Sequence, residues 1–338
     1  MIGIIADDLT GAMDAAAPFA ARGLTVDLYL GSDAVPQASP RRPDVMAVSV
    51  ECRHLPSTLA HDLVAEAKHR LIGCRQLFLK IDSTLRGPIP AMIRAAADVD
   101  QEVVICPAVP AQHRRVRNGK LLVDDIPLEA SELMHDPRTR PFAGDLVSVL
   151  SPLAASMPDA DGQDDIAAIL KDASHGTLLV GAAGLAQALA TSTAGVAARP
   201  WLSPVRSKNA LFVVGSLHPR SRAQLRLLRR LRPEQTVIAT SEDRTHAVLA
   251  EQQLAHEAAR AVDRRQPDTV FVTGGDSARA LLDELLVQHL RVLGCPIHGL
   301  CAAEIVISGR PVLLITKSGG FGPDNILVDL CVELGLSA

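Results

Sequence analysis

Short apolar runs alternate with longer segments in which apolar residues recur at helical spacing. Residues 2–6 form the first apolar run, and the alanine-rich segment 12–21 follows it. Apolar runs of about 4–8 residues predict buried strands, and the longer segments predict helices that cover a sheet. Regular alternation of the two is typical of parallel strands connected by helices. The pattern therefore predicts the α/β class, with mostly parallel sheets flanked by helices.

The length of the chain and one irregular segment predict two domains. The chain has 338 residues, whereas single hydrophobic cores rarely grow past about 250–300 residues. Residues 191–209 mix Ser, Thr, Gly and Pro without apolar periodicity, which is typical of a connecting segment. We therefore predict an N-terminal domain at 1–195, a linker at 196–209 and a C-terminal domain at 210–338.

Composition excludes several classes of partner. The chain is 48% hydrophobic and 21% charged, with a net charge of −4, so it is a globular protein without the long basic run of a nucleic-acid-binding protein. Its six cysteines show no C-x-x-C spacing, which favours reduced thiols. The sequence contains no apolar run of about 20 residues, the length of a membrane span. We expect a cytoplasmic protein with neither nucleic acid nor membrane as partner.

The first half carries its charged candidates in loops that follow predicted strands. Asp7 and Asp8 come directly after the first apolar run, and Gly11 follows them at the start of a helical segment. A second loop, after the run at 76–81, holds an acid between basic residues. Ligands bind at the carboxyl ends of parallel strands. The candidates of this half are Asp7, Asp8, Arg53, Lys80, Asp82, Ser83, Arg86 and Arg114.

These residue types suit a small acid with several hydroxyl groups. Carboxylates accept hydrogen bonds from hydroxyls, and a guanidinium binds a carboxylate at two points. Taken singly, an arginine is more often part of a surface ion pair, and Asp8 or Thr10 is explained by capping the next helix. Arg114 precedes Asn118-Gly119, a pair that predicts a β-hairpin.

The second half repeats a different motif, in which small residues connect a strand to a helix. Glycine there lets backbone amides and the positive end of a helix approach a phosphate. Neither a P-loop nor a G-x-G-x-x-G fingerprint follows any predicted strand. The candidates for phosphate binding are Ser216, Gly274, Gly275, Asp276, Ser277, Ser318, Gly319 and Gly320.

With these motifs in order, the chain resembles the four-carbon acid sugar kinase family over nearly its whole length. The motifs are residues 6–14 (ADDLTGAMD), 80–87 (KIDSTLRG), 107–110 (PAVP) with Arg114 and Asn118-Gly119, 181–186 (GAAGLA), 214–216 (VGS), 273–277 (TGGDS) and 317–322 (KSGGFG). The resemblance implies an ATP-dependent kinase that phosphorylates the terminal hydroxyl of threonate, erythronate or a 3-oxo-tetronate. It also implies a sugar-acid site in the first domain and an ATP site in the second.

The chain departs from the family pattern at three places. Ser277 stands where threonine is usual, and His113 stands where a glycine usually precedes the arginine at Arg114. The family's Pro-Gly-Val-Pro segment before the last glycine loop is not recognisable in residues 305–310. These departures bear on the identity of the sugar acid more than on the reaction.

Phosphoryl transfer requires alignment and charge neutralisation. Mg²⁺ is expected to enter with ATP, and its protein ligands are not assigned. Asp8 and Asp82 are the candidate proton acceptors. Lys80, Lys317 and Arg86 are the candidates for neutralising charge, and Lys80 is alternatively paired to Asp82.

The direction of the two adjacent acids is a separate prediction. Because adjacent residues of a strand point to opposite sides, Asp7 and Asp8 are predicted to diverge. Asp8 is then expected to face the substrate, and Asp7 to cap the helix or anchor the loop.

Two other classes remain open at the level of sequence. One is a metal-dependent phosphatase or lyase that uses Asp7 and Asp8, and the other is a non-catalytic protein that binds a sugar acid and a nucleotide. The second, glycine-lined half argues against the first, and the completeness of both sets of loops argues against the second. A homo-oligomer is compatible with the sequence.

Overall fold

The chain consists of two compact units, Met1–Ala198 and Arg199–Ala338. The computed structural model describes residues 1–37, 42–135, 139–199, 201, 206–240 and 247–336. Residues 200 and 202–205 of the predicted linker lie outside these ranges. The division at 198/199 falls within the linker region, while the limits 195 and 210 stay a prediction.

The first unit contains a parallel sheet covered by helices. Its strands are β1 (Ile2–Ala6), β2 (Val26–Leu30), β3 (Val45–Ser49), β4 (Gln76–Lys80), β5 (Glu102–Cys106), β6 (Arg114–Arg117), β7 (Lys120–Val123), β8 (Ile126–Pro127), β9 (Ala154–Ser156) and β10 (Leu178–Gly181). Its helices are α1 (Leu9–Ala20), α2 (Ser57–Arg70), α3 (Ile89–Ala96), α4 (Leu146–Val149), α5 (Gln163–Asp172) and α6 (Ala183–Ala194). The strand order is β2-β3-β1-β4-β10-β5-β9, and every neighbouring pair is parallel.

The predicted hairpin in this unit is confirmed. Strands β6 and β7 pair antiparallel around Asn118 and Gly119, whose φ angles of 50° and 67° suit the tight turns that join twisted strands. Strand β8 pairs with β7 and completes a small separate sheet. The hairpin places Arg114 at its base.

The second unit has a mixed sheet in the order β12-β11-β13-β16-β15-β14. Its strands are β11 (Ala210–Val214), β12 (Thr236–Ala239), β13 (Thr269–Thr273), β14 (His289–Gly294), β15 (Leu300–Ile307) and β16 (Arg310–Lys317). Its helices are α7 (Pro219–Leu231), α8 (Ala247–Arg265), α9 (Gly275–Glu284) and α10 (Ile326–Glu333). The pairs β12-β11, β11-β13 and β13-β16 are parallel, and β16-β15 and β15-β14 are antiparallel. The predicted α/β class with two domains is confirmed.

Apolar residues on both faces of the strands form the cores. All five residues of β1 are buried, because a parallel strand covered on both sides carries a continuous apolar run. In the second unit, Phe212 and Phe271 lie on adjacent strands with ring centroids 5.6 Å apart. The six cysteines are all free, and no helix of the described ranges combines the length and apolar character that crossing a bilayer demands.

Candidate functional sites

The order of the strands brings three charged loops of the first unit together. Strand β1 lies between β3 and β4, with Ala6 in register with Ser49 and Lys80. Parallel strands end at the same edge of the sheet, so the loops that follow β1, β3 and β4 are neighbours. They carry Asp7 and Asp8, Arg53, and the segment that begins at Asp82.

Arg53 binds both acids of the first loop. Its Nε and Nη2 donate to the Asp7 carboxylate at 2.7 and 3.0 Å, and its Nη1 and Nη2 donate to the Asp8 carboxylate at 2.9 and 2.6 Å. The prediction that the two acids diverge is therefore wrong. Side chains alternate along a continuous strand, but β1 ends at Ala6 and Asp8 is already the residue that caps α1.

Asp8 caps α1, as the capping alternative for Asp8 predicted, whereas the hypothesis of a substrate-facing Asp8 gave the role of cap or loop anchor to Asp7. Its carboxylate accepts from the backbone N–H of Gly11 at 2.9 Å and from the Thr10 hydroxyl at 2.7 Å. Burial opposes ionisation of Asp8, but Arg53, Lys80 and the Thr10 hydroxyl outweigh it and lower the pKa of this carboxyl. Asp8 is thus ionised at neutral pH, and its side chain keeps 12% of its surface exposed.

Asp7 lies deeper than Asp8. Its side chain is only 1% exposed, and burial raises its pKa, with the negative charge of Asp8 adding to the effect while Arg53 opposes it. Arg53 in turn has a pKa well above its usual range, because the attraction of Asp7, Asp8 and Asp82 exceeds the cost of its burial. The guanidinium therefore stays charged and holds the two loops together.

Asp82 is bound by a different arginine, Arg86. The Nε and Nη2 of Arg86 both donate to the Asp82 carboxylate at 2.9 Å, and the hydroxyl of Thr84 donates to the same carboxylate. Burial is outweighed by Arg53, whose Nη2 lies 3.9 Å away, and by Arg86, so the pKa of Asp82 falls well below its usual range. Its side chain remains 10% exposed.

Lys80 belongs with the first loop rather than with Asp82. Its Nζ donates to the Ile81 carbonyl at 2.9 Å, and its charge acts on both Asp7 and Asp8. The alternative ion pair between Lys80 and Asp82 is not formed; both residues lie in the described part of the chain. A Cβ atom at Gly11 would lie 2.5 Å from Asp8 Oδ1 and 3.0 Å from Lys80 Nζ, so only glycine leaves room for this arrangement.

Arg114 reaches the cluster from the base of the hairpin. One of its Nη atoms donates to the hydroxyl of Ser83, and its buried Nε has no hydrogen-bond partner among the described residues. Burial lowers the pKa of Arg114, but an arginine stays protonated in any case. Arg114 thus brings to the cluster a positive charge whose hydrogen bond goes to a hydroxyl rather than to a carboxylate.

In the second unit, three adjacent parallel strands end in the predicted glycine turns. Val214 of β11, Thr273 of β13 and Lys317 of β16 are in register. The backbone N–H of Ser216 donates to the Thr273 carbonyl at 3.2 Å, and that of Gly274 donates to the Lys317 carbonyl at 3.0 Å. Gly215, Gly274 and Ser318 therefore begin three neighbouring loops at one edge of the sheet, and Ser216 is the second residue of the first loop.

The turns pack so closely that side chains would not fit at two of their glycines. A Cβ at Gly215 would lie 1.9 Å from Ser277 Oγ, and a Cβ at Gly319 would lie 2.2 Å from Ser216 Oγ. Gly274 has a φ of 101° and caps α9, whose first turn carries the other predicted residues of this loop, Gly275, Asp276 and Ser277. The geometry brings all three predicted phosphate-binding turns together.

Several residues of this edge were not assigned a role from the sequence. On α7, Ser221 Oγ donates to the Gly319 carbonyl at 2.6 Å, and Gln224 Nε2 donates to the carbonyls of Phe321, Gly322 and Pro323 at 2.9–3.1 Å. Their spacing of three residues on one helix face was the available signal. Lys317, predicted to neutralise charge, instead gives its donors to loop carbonyls.

The described residues do not indicate a resident metal centre. The described ranges contain no group of three or more His, Cys, Asp or Glu side chains arranged to hold a metal ion. Asp7, Asp8 and Asp82 are each bound by arginine, which competes with a cation for their oxygens. A magnesium ion at these sites would be held chiefly by the ligand it accompanies.

Comparison with known proteins agrees with a division of the chain into two domains. Residues 2–157 match the family model of the sugar-binding N-terminal domain, and residues 232–327 match that of the nucleotide-binding C-terminal domain. A D-threonate kinase of Bordetella bronchiseptica is 29% identical over 97% of this chain and 96% of its own length. A D-threonate kinase of Salmonella typhimurium is 26% identical, with 96% of both chains covered. A D-erythronate kinase of Heliobacterium modesticaldum is 32% identical over 66% of this chain and 59% of its own length.

Solved structures share the fold. A Haemophilus influenzae protein of family DUF1537 superposes with a TM-score of 0.74 at 19% identity, covering 96% of this chain and 97% of its own. A DUF1537 protein of Bordetella bronchiseptica, solved with bound citrate as a domain-swapped dimer, has a TM-score of 0.52 at 25% identity, covering 99% and 98%. Two domain models in the right order and relatives that span nearly the whole chain lead to one conclusion: the chain belongs to the four-carbon acid sugar kinase family, a family of enzymes.

Proposed function

We propose that this protein is an ATP-dependent kinase that phosphorylates the terminal hydroxyl of a four-carbon sugar acid of the threonate, erythronate or 3-oxo-tetronate type. In this proposal the domain at 1–195 binds the sugar acid and the domain at 210–338 binds the nucleotide. The names of the kinase relatives support the reaction class.

The observation that carries the proposal is the charge arrangement of the first unit. Asp7, Asp8 and Asp82 are bound there by Arg53 and Arg86. Arg114 donates instead to the Ser83 hydroxyl. The negative charges of Asp82, Asp124 and Asp14 act on Arg114, but its Nε has no hydrogen-bond partner among the described residues. A substrate carboxylate would accept hydrogen bonds from the unpartnered Nε of Arg114 and from Ser83. The bound citrate of the Bordetella structure shows a polycarboxylate held by a protein of this fold.

The exposed fractions of the three aspartate side chains suggest different roles for them. Asp8 and Asp82 keep part of their side chains open, with 12% and 10% exposed, whereas Asp7 is closed off. We assign Asp8 and Asp82 to the substrate hydroxyls and Asp7 to positioning, since Asp7 acts through Arg53. Asp8 is the better proton acceptor of the two, because the pKa of Asp82 is lowered further. A loose phosphoryl-transfer transition state does not require a strong base.

The nucleotide would bind at the three glycine turns of the second unit. Ser216, Ser277 and Ser318 offer hydroxyls at adjacent strand ends. Gly274 makes the turn into α9, and Gly275, Gly319 and Gly320 leave backbone amides for phosphates. Asp276 lies in the first turn of α9. Mg²⁺ would arrive as the ATP complex, held by phosphate oxygens and water, and would neutralise charge on the transferred group.

A coupled assay of ADP release tests the proposal. Purified protein is supplied with Mg·ATP and, one at a time, with four-carbon aldonic and 3-oxo acids of each configuration. We expect ADP release that requires one acid and stops when the acid is consumed. ADP release that is independent of every acid, or phosphate release from a phosphorylated acid without ATP, would refute the kinase assignment.

We further propose that the chain self-associates, because the Bordetella structure is a dimer. Light scattering on the eluted protein measures this directly. A mass that stays at the monomer value of 35.8 kDa across the concentrations used for assay would contradict it.

A further inference from the structure

The loop after β16 has its backbone carbonyls bound from inside the second unit. Lys317 Nζ donates to the carbonyls of Ser318, Gly319 and Phe321 at 2.9, 3.0 and 3.1 Å. On α7, Ser221 donates to the carbonyl of Gly319, and Gln224 donates to the carbonyls of residues 321, 322 and 323. Lys317 itself is 1% exposed, so its ammonium is enclosed by the loop that it binds.

The planarity of the peptide bond fixes where the corresponding amides point. In a trans peptide, the N–H of one residue is directed opposite to the C=O of the residue before it. Because the carbonyls of Ser318 and Gly319 face Lys317, the N–H groups of Gly319 and Gly320 face away from it. Within the described ranges neither amide donates a hydrogen bond to protein, and Gly320 is exposed. Successive unpaired amides that face away from the protein interior in this way can form an anion-binding concavity.

We propose that Lys317 is the positioning residue of this loop: its protonated amine draws three carbonyls inward, turns the amides of Gly319 and Gly320 toward the nucleotide phosphates, and must carry its proton for phosphate to bind. The inference rests on the proposed nucleotide site and adds a coupling between proton and nucleotide. An ammonium has three N–H donors, one for each carbonyl, whereas the neutral amine has two. Loss of the proton therefore releases one carbonyl and loosens the loop.

The surroundings of Lys317 make that proton easy to lose in the absence of ligand. Burial first, and the positive charge of Arg220 second, lower the pKa of Lys317 to about 7. The charged groups that face it are Arg220 and, when protonated, His218, whose own pKa is lowered by burial and by Lys317. Phosphate negative charge beside the loop reverses this balance and favours the ammonium. Nucleotide binding above pH 7 is then accompanied by uptake of a proton.

Titration calorimetry of Mg·ADP into the whole protein measures both quantities, with buffers of different ionisation enthalpy reporting the proton. Between pH 7.5 and 9 the phosphate is fully ionised and His218 is neutral, so Lys317 dominates. We expect the Kd of the wild type to rise toward about tenfold per pH unit in this range, with uptake approaching one proton. The affinity for the sugar acid, measured in parallel, should show no such dependence.

Three variants separate positioning from general loss of structure. Lys317→Met should weaken Mg·ADP binding at pH 7 by about tenfold or more and abolish its pH dependence. Lys317→Arg, which keeps a permanent charge, should bind at pH 8.5 without proton uptake. Lys208→Met, which removes an exposed lysine of the same unit, should behave as the wild type.

The outcomes distinguish the two levels of inference. If the folded wild type binds Mg·ADP with a Kd independent of pH and without proton uptake, Lys317 has no such role, while the nucleotide site stands. If Lys317→Met keeps the pH dependence of the wild type, another group titrates and the proposal is overturned. If the folded wild type binds no Mg·ADP at any pH, the proposed nucleotide function fails, and this inference with it. Should Lys317→Met not fold, the wild type and Lys317→Arg decide.

Discussion

Removal of the Arg53 guanidinium, by Arg53→Met, tests the central cluster of the first unit. Arg53 donates four hydrogen bonds of 2.6–3.0 Å to two buried carboxylates. Its loss leaves Asp7 and Asp8 adjacent and without that partner, and breaking a buried ion pair in this way costs about 3–5 kcal/mol. The sum of four charge-assisted bonds would be larger, but burial of the arginine offsets part of it. The expected fall in Tm is about 6–20 °C.

The cost should depend on pH with a defined sign. The pKa of Asp7 is already raised by burial, and without Arg53 it rises further. When the pKa of a carboxyl is higher in the folded than in the unfolded state, the free energy of unfolding falls as pH rises between the two values. It recovers when the carboxyl is protonated. The difference in stability between wild type and Arg53→Met should therefore be smaller at pH 5 than at pH 8.

Differential scanning calorimetry provides the measurement, because it resolves the transitions of units that unfold separately. The chain's single tryptophan, Trp201, belongs to the second unit, so its fluorescence identifies that unit's transition. The fall in Tm caused by Arg53→Met should be confined to the transition of the first unit. The double variant Asp7→Asn with Arg53→Met is the matched control, since it removes the unpaired charge and should recover about 0.5–3 kcal/mol. A Tm that is unchanged in Arg53→Met at pH 8, or no recovery in the double variant, would refute the view that Arg53 neutralises these acids.

The other predictions concern the two proposed binding sites. Asp8→Asn keeps the cap geometry but removes the proton acceptor, so kcat should fall about 10²–10⁴-fold with little change in KM for the acid; normal turnover would move the role to Asp82. Arg114→Ala should raise KM for the sugar acid about tenfold or more and leave KM for ATP unchanged, and the reverse pattern would exchange the functions of the units. Gly319→Ala should weaken ATP binding without affecting acid binding, because its Cβ meets Ser216 Oγ at 2.2 Å; unaltered ATP protection against thermal unfolding would contradict the proposed phosphate contact.

Features that lie in one continuous stretch of sequence were predicted well. The run that forms β1 and the glycine turns after β11, β13 and β16 were recognisable because buried parallel strands are uniformly apolar and their turns need small residues. The antiparallel strands β14 and β15 were not predicted. Their burial alternates over part of their length, in His289–Gly294 and at the end of Leu300–Ile307, so the apolar signal is weaker.

Relations between distant side chains were beyond local pattern. The convergence of Asp7 and Asp8 on Arg53 depends on β1 lying between β3 and β4, and strand order does not follow from periodicity. The direction of Lys317 likewise depends on the turn of the chain after β16. In each case the residue types were evident from the sequence, whereas their partners required the fold.

The central position of β1 has a consequence for how the first unit folds. Strand β1 pairs with β3 and β4, which follow it in the chain, so it has no partner strand until those later segments have been synthesised. Arg53 and Asp82 are 46 and 75 positions after Asp7, and contacts so far apart in sequence carry a large loop-closure cost and slow folding. Until then the two adjacent acids remain hydrated. The ion pairs of Asp7 and Asp8 with Arg53 therefore form only when β1, β3 and β4 have paired in the centre of the sheet.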